Sequence, residues 1–197
     1  MRPAAVETRP EVAPAFPPVV MAELVRDARP LSMKRGTLLF SKGEPVGTCF
    51  FMLKGVVKLT VSTSQGHERI LALQGRGSMV GALGLMDGAP HSTSATTLTD
   101  CQMMTFSAAS FVEVRDRHPE VERILVSILA GKLRQAAENA AWGGLLSARQ
   151  RIARAVLQFA DMVGEPTGEG HRTIDRAITH GDIAGLAFVS REEVTRT

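Results

Sequence analysis

The hydrophobic and polar positions change their period along the chain. Residues 21–29 favour a short amphipathic helix, and from Leu31 to about Phe106 the apolar residues form short β-rich runs separated by glycines. The runs are Leu38 to Phe40, Cys49 to Leu53, Val56 to Ser62, Arg69 to Leu73, Ser94 to Leu98 and Gln102 to Phe106. Gly66 has the setting of a hairpin tip. Short strands at this spacing predict a compact antiparallel roll or barrel.

Beyond the roll the apolar period becomes helical. Pro119 suits a first turn, and apolar residues follow at three- and four-residue spacings as far as Ala141, over about 23 residues. The small residues near its end permit close approach of another helix. A core helix packed on the roll and a dimer-forming helix that also touches the roll both fit this pattern. Gly143 and Gly144 are expected to break the helix and mark a domain boundary.

The last part of the chain is helical again. Ser147 is expected to cap a helix, and residues 164–170 to form a polar loop before a small hairpin around residues 172–178. The final stretch, THGDIAGLAFVSREEVTRT, holds two helix starts. Thr179-x-x-Asp182 and Ser190-x-x-Glu193 both fit the capping box, in which a hydroxyl and an acid bond each other's backbone amides. This predicts a helix-turn-helix, and the sequence ends inside its second helix.

Composition narrows the classes of function. A hydrophobic content of 44% and a charged content of 22% are ordinary for a globular protein, and a net charge of +3 permits a polyanionic partner. From Ser147 onward seven arginines balance seven acids, so DNA binding rests on the motif and not on bulk charge. No apolar run is long enough to span a bilayer, and residues 1–20, rich in proline, are expected to be a disordered tail and not a signal peptide.

The two cysteines, Cys49 and Cys101, are too few for a disulfide framework or an all-cysteine iron–sulfur cluster. Both lie in apolar, strand-like contexts, so we expect buried structural thiols. These features fit a cytoplasmic protein without membrane contact. The histidines are scattered and no nucleophile–base–acid set or metal-ligand spacing stands out, so we expect no enzyme and no metal site.

Three segments carry a family resemblance. They are residues 35–59, which include Arg35-Gly36-Thr37-Leu38-Leu39-Phe40 and Phe50-Phe51-Met52-Leu53-Lys54-Gly55; then Gly81-Ala82-Leu83-Gly84-Leu85; and last Ser190-Arg191-Glu192-Glu193-Val194-Thr195-Arg196. In this order the chain resembles the cyclic-AMP receptor protein/FNR (Crp/Fnr) family of bacterial transcription regulators. The resemblance covers nearly everything after about residue 21.

The resemblance implies an α+β fold with an N-terminal antiparallel β-roll (a cyclic-nucleotide-binding-like jelly roll), a long dimerisation helix and a C-terminal winged helix-turn-helix, incomplete at Thr197. The expected divisions are a tail over 1–20, a sensor roll over 21–117, a dimerisation helix over 118–142 and a DNA-binding domain over 143–197. The implied partners are double-stranded DNA with a palindromic operator, a second copy of the chain through residues 118–142, and RNA polymerase as a candidate.

The implied effector pocket is altered at the side chains that give the family its specificity. The family's phosphate cradle falls on Gly81, Ala82, Leu83 and Gly84, with Ala82 in place of the ribose-binding Glu. His91 replaces the phosphate-binding Arg, while Ser92 is retained. The two hydroxyl residues that meet the adenine fall on Ala136 and Ala137. We therefore expect no tight binding of cyclic AMP. His91 is either a solvated loop residue or, when protonated, an anion contact.

Other sensing chemistries of the family find little support. The oxygen-sensing branch needs an N-terminal cysteine cluster, and residues 1–48 contain no Cys. For a haem, His67, His91 and Met79 are formal candidates as ligands without a partner motif. No cofactor is predicted.

In the DNA-reading part the family's base-reading positions fall on Arg191, Glu192 and Arg196, since Arg pairs with guanine and Glu accepts from cytosine. Another three residues are expected to hold phosphates, namely Thr179, His180 and Ser190. The turn carries Phe188 where the family has Gly, so a positive φ there would cost about 1–3 kcal/mol unless the turn is reshaped with Phe188 packed under the helices. The leading hypothesis is a homodimeric, sequence-specific regulator not controlled by cyclic AMP; the alternative is an effector-binding or orphan module that has lost DNA binding.

Overall fold

The computed structural model describes residues 16–62, 68–168, 171–174 and 178–197. Its helices are α1 (Pro18–Arg26), α2 (Leu83–Asp87), α3 (Ala108–Arg117), α4 (Glu120–Leu145), α5 (Ala148–Val163), α6 (His180–Ala187) and α7 (Arg191–Arg196). Its strands are β1 (Arg29–Met33), β2 (Leu38–Phe40), β3 (Thr48–Lys54), β4 (Val57–Ser62), β5 (Glu68–Gln74), β6 (Met79–Val80), β7 (Ser94–Thr97), β8 (Cys101–Ser107), β9 (Glu165–Gly168) and β10 (His171–Thr173). The predicted hairpin tip at Gly66 and the first 15 residues of the expected tail lie outside the described ranges.

The predicted roll is confirmed as two four-stranded antiparallel sheets. One has the order β1-β8-β3-β6 and the other β2-β7-β4-β5. Alternate side chains of these strands meet in one apolar core, which includes Phe50, Met52, Val57 and Met103. The six predicted strands agree with the observed ones to within one or two residues at each end. The two-residue β6, the edge strand β1 and the short helices α2 and α3 carry too weak a period to be predicted.

A second apolar core covers the outer face of the first sheet. The helices α1, α3 and α4 pack there through Val20, Phe111 and Leu125, among others. The expected tail is therefore wrong for residues 16–20, because α1 begins at Pro18 and both Phe16 and Val20 are buried. Proline is tolerated in the first turn of a helix, and the apolar period starts earlier than the proline content suggested.

The helix α4 runs through the glycine pair that was expected to end it. In a helix, Gly143 and Gly144 each cost about 1 kcal/mol relative to Ala. This cost does not end the helix, since α4 continues to Leu145. The guanidinium of Arg154 on α5 lies 5.2 Å from the ring centroid of Trp142, one turn before the end of α4. The chain leaves the helix at Leu146, which adopts an extended conformation. The small hairpin also differs from its prediction, since β9 and β10 pair over residues 165–173.

The C-terminal helices pack against the roll as well as against one another. Phe159 of α5 is fully buried in a cluster with Val56, Ile70, Leu73 and Leu98 of the roll. The helix α6 contributes Ile183 and Leu186 to the same cluster. A separate small core joins α5, α6 and α7. The C-terminal helices therefore have their own core, and α5 and α6 also share one with the roll.

A charged group ties α6 to the roll beside that apolar cluster. The Lys58 ammonium of β4 lies 3.0 Å from the Asp182 carboxylate of α6 and 2.6 Å from the Glu68 carboxylate of β5. Burial favours the neutral forms, but the two acids keep the pKa of Lys58 above its ordinary value. For Asp182 burial acts to raise the pKa, yet the bonds from Thr179 and Lys58 hold it below the usual range. Both groups are thus charged at neutral pH.

The backbones of α6 and β5 also approach closely. An added Cβ at Gly185 would lie 3.3 Å from the Glu68 carbonyl oxygen and 3.3 Å from the Ile70 side chain. Glycine is therefore the residue that lets α6 lie flat on the strand at this point. We call the contact of α5 and α6 with β4 and β5 the docking interface. Gly185, Phe159 and Lys58 lie in it.

We expect Phe159→Ala to lower the free energy of unfolding by about 3–5 kcal/mol, because it removes a fully buried ring at the centre of the docking interface. Leu157→Ala on the same helix is the matched control, since Leu157 is 66% exposed and its loss should change stability by less than about 0.5 kcal/mol. Urea denaturation measures both. Equal effects of the two substitutions would contradict this placement of Phe159.

Lys58→Met should lower the free energy of unfolding by about 1–3 kcal/mol, because it leaves the Asp182 carboxylate buried without its cation. Lys54→Met, at the exposed end of β3, serves as the control and should be close to neutral. Chemical denaturation at low and high salt is the measurement. A Lys58 variant as stable as the Lys54 variant at both salt concentrations would show that the pair does not hold α6.

Candidate functional site

The two predicted helix starts are formed to different extents. Thr179 caps α6 in a complete capping box, because its hydroxyl accepts from the Asp182 amide at 3.1 Å and the Asp182 carboxylate accepts from the Thr179 amide at 3.0 Å. Ser190 caps α7 and accepts from the Glu193 amide at 3.2 Å. The reciprocal bond, from the Ser190 amide to the Glu193 carboxylate, is not formed among the described residues. The second capping box is therefore only half present.

The turn between α6 and α7 keeps the left-handed conformation at Phe188. Its φ is 55° and its ψ is 47°, and it is the sole non-glycine residue with positive φ in the part of the chain that the structure describes. The turn is thus not reshaped, and the expected strain applies. The ring is partly buried, and the Arg69 guanidinium of β5 lies 5.2 Å from its centroid. This cation–π contact adds a further tie between the turn and the roll.

The three expected base-reading side chains lie together on α7. Arg191, Glu192 and Arg196 are all exposed, and Glu192 and Arg196 share one face because they are four residues apart. Bonds from its own backbone amide and from the Ser190 hydroxyl keep the pKa of Glu192 below the ordinary value. At neutral pH this surface therefore offers two guanidinium donors and one carboxylate acceptor, which are groups suited to base edges.

The expected phosphate-contacting residues lie at the N-terminal ends of the two helices. The Thr179 hydroxyl is engaged in its own cap and donates to the Asp182 carboxylate at 2.7 Å. His180 Nδ1 lies 3.2 Å from the Thr195 hydroxyl of α7, so the histidine joins the two helices. Ser190 is exposed at the start of α7. Thr179 and His180 thus also hold the motif together.

Arg151 is a positioning residue that the sequence did not reveal. From α5 it donates to the Ala187 carbonyl at 3.0 Å and to the Leu146 carbonyl at 3.0 Å. It thereby joins the end of α4 to the end of α6, just before the turn at Phe188. An arginine on an amphipathic helix looks like any solvated cation in the sequence, so no pattern distinguishes it.

A cavity of about 150 Å³ lies between the roll and α4. Six of the eight residues expected in the effector pocket line it, namely Gly81, Ala82, Leu83, Gly84, His91 and Ser92. The other two, Ala136 and Ala137, are exposed on α4 outside its lining, so the structure does not bring them into the pocket. In their place α4 contributes Leu125, Ile128, Leu129 and Lys132.

His91 is not a solvated loop residue. It is 7% exposed, and its ring stacks on Phe40 with 3.6 Å between centroids and 9° between planes. Its backbone is pinned to the loop at Gly43 and Glu44 by two hydrogen bonds of 2.8 and 2.9 Å. Burial lowers the pKa of His91, which the Glu44 carboxylate only partly opposes, so the imidazole is neutral at pH 7.

Gly81 makes this stack possible. Its φ is +86°, and an added Cβ would lie 3.4 Å from both the His91 and the Phe40 rings. A side chain at this position would be strained and would press on the stacked pair. Glycine at position 81 therefore leaves room for the stacked rings that form this part of the cavity wall.

The remaining candidate ligands are built into the core. Cys49 and Cys101 are both buried, as predicted; burial raises the pKa of the Cys49 thiol to about 12 and also raises that of Cys101. Met79 is buried in β6 and lines the cavity, whereas His67 lies outside the described residues. Within the described ranges no three His, Cys, Asp or Glu side chains group in a way that could hold a metal ion. In the same ranges no helix has the length and apolar character needed to cross a bilayer.

Comparisons with known proteins agree with this architecture. The profile of the family described as "Cyclic nucleotide-binding domain" matches residues 30–118. A "CRP-like cAMP-activated global transcriptional regulator" from Mycobacterium tuberculosis is 29% identical over 179 residues, which cover 91% of this chain and 80% of that protein. A "cAMP-activated global transcriptional regulator CRP" from Salmonella typhimurium is 28% identical over 162 residues, which cover 80% of this chain and 75% of that protein.

Solved structures extend the likeness to the whole fold. The regulator CLP from Xanthomonas campestris superposes with a TM-score of 0.76 at 19% identity, over 90% of this chain and 88% of that one. The catabolite activator protein of Thermus thermophilus gives a TM-score of 0.57 at 27% identity, over 92% of this chain and 81% of that one. The roll, the long helix and the C-terminal helices stand in the same order in these proteins, and the chain is thus similar to the Crp/Fnr family of bacterial transcription regulators.

Proposed function

We propose that the chain is a homodimeric regulator that reads a palindromic operator with α7 and is not controlled by cyclic AMP. The observation that carries the DNA-binding part is the exposed set of Arg191, Glu192 and Arg196 on the second helix of a capped helix-turn-helix. In this proposal the roll to residue 117 senses an effector, α4 dimerises, and the part after Leu146 binds DNA. Crp/Fnr relatives that are regulators support the assignment.

The outer face of α4 supports dimerisation. Val126 is 62% exposed and Leu133 is 72% exposed, which is unusual for large apolar residues seven positions apart on one helix. Ala130, Ala137 and Ala140 complete the same seam at three- and four-residue spacings. Small residues let a second copy of the helix come close. A parallel pair of α4 helices would give two reading heads related by a two-fold axis, as palindromic half-sites require.

Independence from cyclic AMP rests on both chemistry and size. Ala82 cannot bond a ribose hydroxyl, and His91 is neutral and stacked, so no guanidinium faces the cavity at the phosphate position. A dry cavity of about 150 Å³ holds a molecule the size of benzene, which is far smaller than a nucleotide. Relatives from Mycobacterium tuberculosis and Salmonella typhimurium are named as activated by cyclic AMP. The side chains of this pocket favour a different effector.

The charge balance after Ser147 leaves one competing function, an effector-binding or orphan module that no longer binds DNA. Such a module would not bind any selected DNA sequence more tightly than random DNA. The two functions are therefore distinguished by operator selection with the full-length protein, followed by the measurement below.

We expect Arg191→Ala to weaken binding to the selected operator by about 1–3 kcal/mol, while binding to random DNA stays nearly unchanged, because in this proposal the exposed Arg191 reads a base and not a phosphate. Arg123→Ala on α4 is the control, since Arg123 is exposed but remote from α7. Fluorescence anisotropy at fixed salt is the measurement. An equal loss on operator and random DNA would contradict base reading by Arg191.

Titration calorimetry of the full-length protein with cyclic AMP should show no binding at micromolar concentration, because the ribose and phosphate contacts are missing. As a positive control for the method, a cyclic-AMP-activated relative should bind under the same conditions. Submicromolar binding to this chain would overturn our interpretation of Ala82 and His91.

A further inference from the structure

We infer that the cavity between the roll and α4 binds a small uncharged apolar molecule, with one aromatic ring and about six to eight non-hydrogen atoms. The inference rests on the proposed sensing role of the roll and names the class of effector that the roll would take. Its basis is the volume of the cavity, the apolar side chains of its wall and the state of the two ionisable groups in that wall.

The volume of the cavity limits the size of the ligand. It is about 150 Å³. An engineered protein cavity of ~150 Å³ lined by Leu, Ile and Phe stays dry and takes up benzene or xenon. A molecule that fits here without moving the roll or α4 therefore has a single ring with a short substituent, and a nucleotide is too large.

Apolar side chains from three parts of the fold form most of the wall. They are Leu59 and Met79 of the roll, Met86 of α2, and Leu125, Ile128 and Leu129 of α4. The stacked rings of Phe40 and His91 line the same cavity. Aromatic rings and methionine sulfur atoms both make favourable contacts with a further aromatic ring. The wall therefore suits an aromatic ring better than a sugar, which needs several polar partners.

The ionisable groups of the wall offer no partner to a charged ligand. Among the lining residues that the structure describes, Lys132 and His91 are the two that can carry a charge. Lys132 is already engaged by another group of the chain. The imidazole of His91 is neutral at pH 7, because burial lowers its pKa. A carboxylate or an ammonium group in the cavity would therefore lose its water without gaining an opposite charge, which disfavours ligands of either sign.

Two hydroxyl groups in the wall accommodate one polar atom on the ligand. Ser92 and Thr93 follow His91 in the chain and line the cavity with it. A hydroxyl group both donates and accepts hydrogen bonds, so it can pair with an alcohol or a carbonyl oxygen. An uncharged ring that carries one such oxygen therefore belongs to the same class of ligand as the plain hydrocarbon.

Calorimetry on the full-length protein tests this class with molecules of similar shape and different charge. Ethylbenzene and benzyl alcohol are the uncharged probes, and benzylammonium and benzoate are their charged counterparts. The uncharged probes should bind with dissociation constants of about 0.1–1 mM, as their small number of atoms allows. The charged probes should bind at least about tenfold more weakly, because neither finds an opposite charge in the wall that is not already engaged.

Two results of this comparison would overturn the inference. One is that the uncharged probes do not bind at millimolar concentration. The other is that benzoate or benzylammonium binds as tightly as ethylbenzene and benzyl alcohol do, since the wall would then supply a charge to its ligand.

Two filling variants locate the ligand in this cavity. Ala82→Phe adds a ring from the segment before α2, and Ile128→Trp adds a larger ring system from α4. Each should weaken binding of both uncharged probes at least about tenfold, because the new side chain occupies the cavity. Ala153→Phe on α5 is the matched control, since Ala153 is exposed and lies outside the lining, and it should bind the probes as the wild type does.

Thermal melting checks that each variant folds. Unchanged binding in a folded filling variant, or an equal loss of binding in Ala153→Phe, would contradict this site.

Operator binding by the unliganded protein separates this inference from the proposed function. If the uncharged probes bind and no operator is found, the ligand class stands while the proposed DNA-binding function fails. If an operator is bound and neither uncharged probe binds, the proposed function stands and the ligand class is wrong.

Discussion

The contact between Lys58 and Asp182 is the constraint on which the rest of the arrangement depends. Both groups are largely removed from water, so each needs the other, and Glu68 completes the charge balance. An apolar cluster around Phe159 alone could let α5 and α6 slide on the roll. A buried ion pair has one good geometry, and it therefore fixes the register of α6 on the roll. Gly185 then permits the close approach that this register requires.

In this register the roll contacts α6 and the turn at Phe188 directly. Phe188 keeps a strained left-handed turn, and Arg69 of the roll lies over its ring. Arg151 joins the end of α4 to the end of α6 through two backbone carbonyls. Each of these contacts crosses between elements that are far apart in the sequence. The roll, α4 and α6 are therefore joined by packed groups.

Much of the fold could be predicted because local patterns dominate it. The strands around Met52 and Val57 follow from short β-rich runs separated by glycines, and the caps at Ser147 and Thr179 are complete within four residues. The end of α4 could not be predicted, because Trp142 and Arg154 hold two glycines in a helix from outside. The tail before Val20 was misjudged, because burial against α3 is not visible in a proline-rich stretch.

The candidate sites divide in the same way. The α7 residues follow from a motif of consecutive positions, whereas the burial of His91 depends on Phe40, a residue 51 positions earlier in the chain. Lys58 is 124 positions from Asp182, and no local pattern in β4 predicts that Lys58 has a buried partner. A single sequence shows which side chains are present at a site, but distant pairings decide which of them are charged, buried or aligned.

A double-mutant cycle in the full-length protein tests the central claim most directly. The free energies of unfolding of the wild type, Lys58→Met, Asp182→Asn and the double variant give the coupling between the two side chains, free of the part that Asp182 plays in its capping box. We predict a favourable coupling of about 1–2 kcal/mol that decreases little at high salt, because the pair is mostly buried. A coupling within about 0.3 kcal/mol of zero would contradict the claim that this pair fixes α6 on the roll.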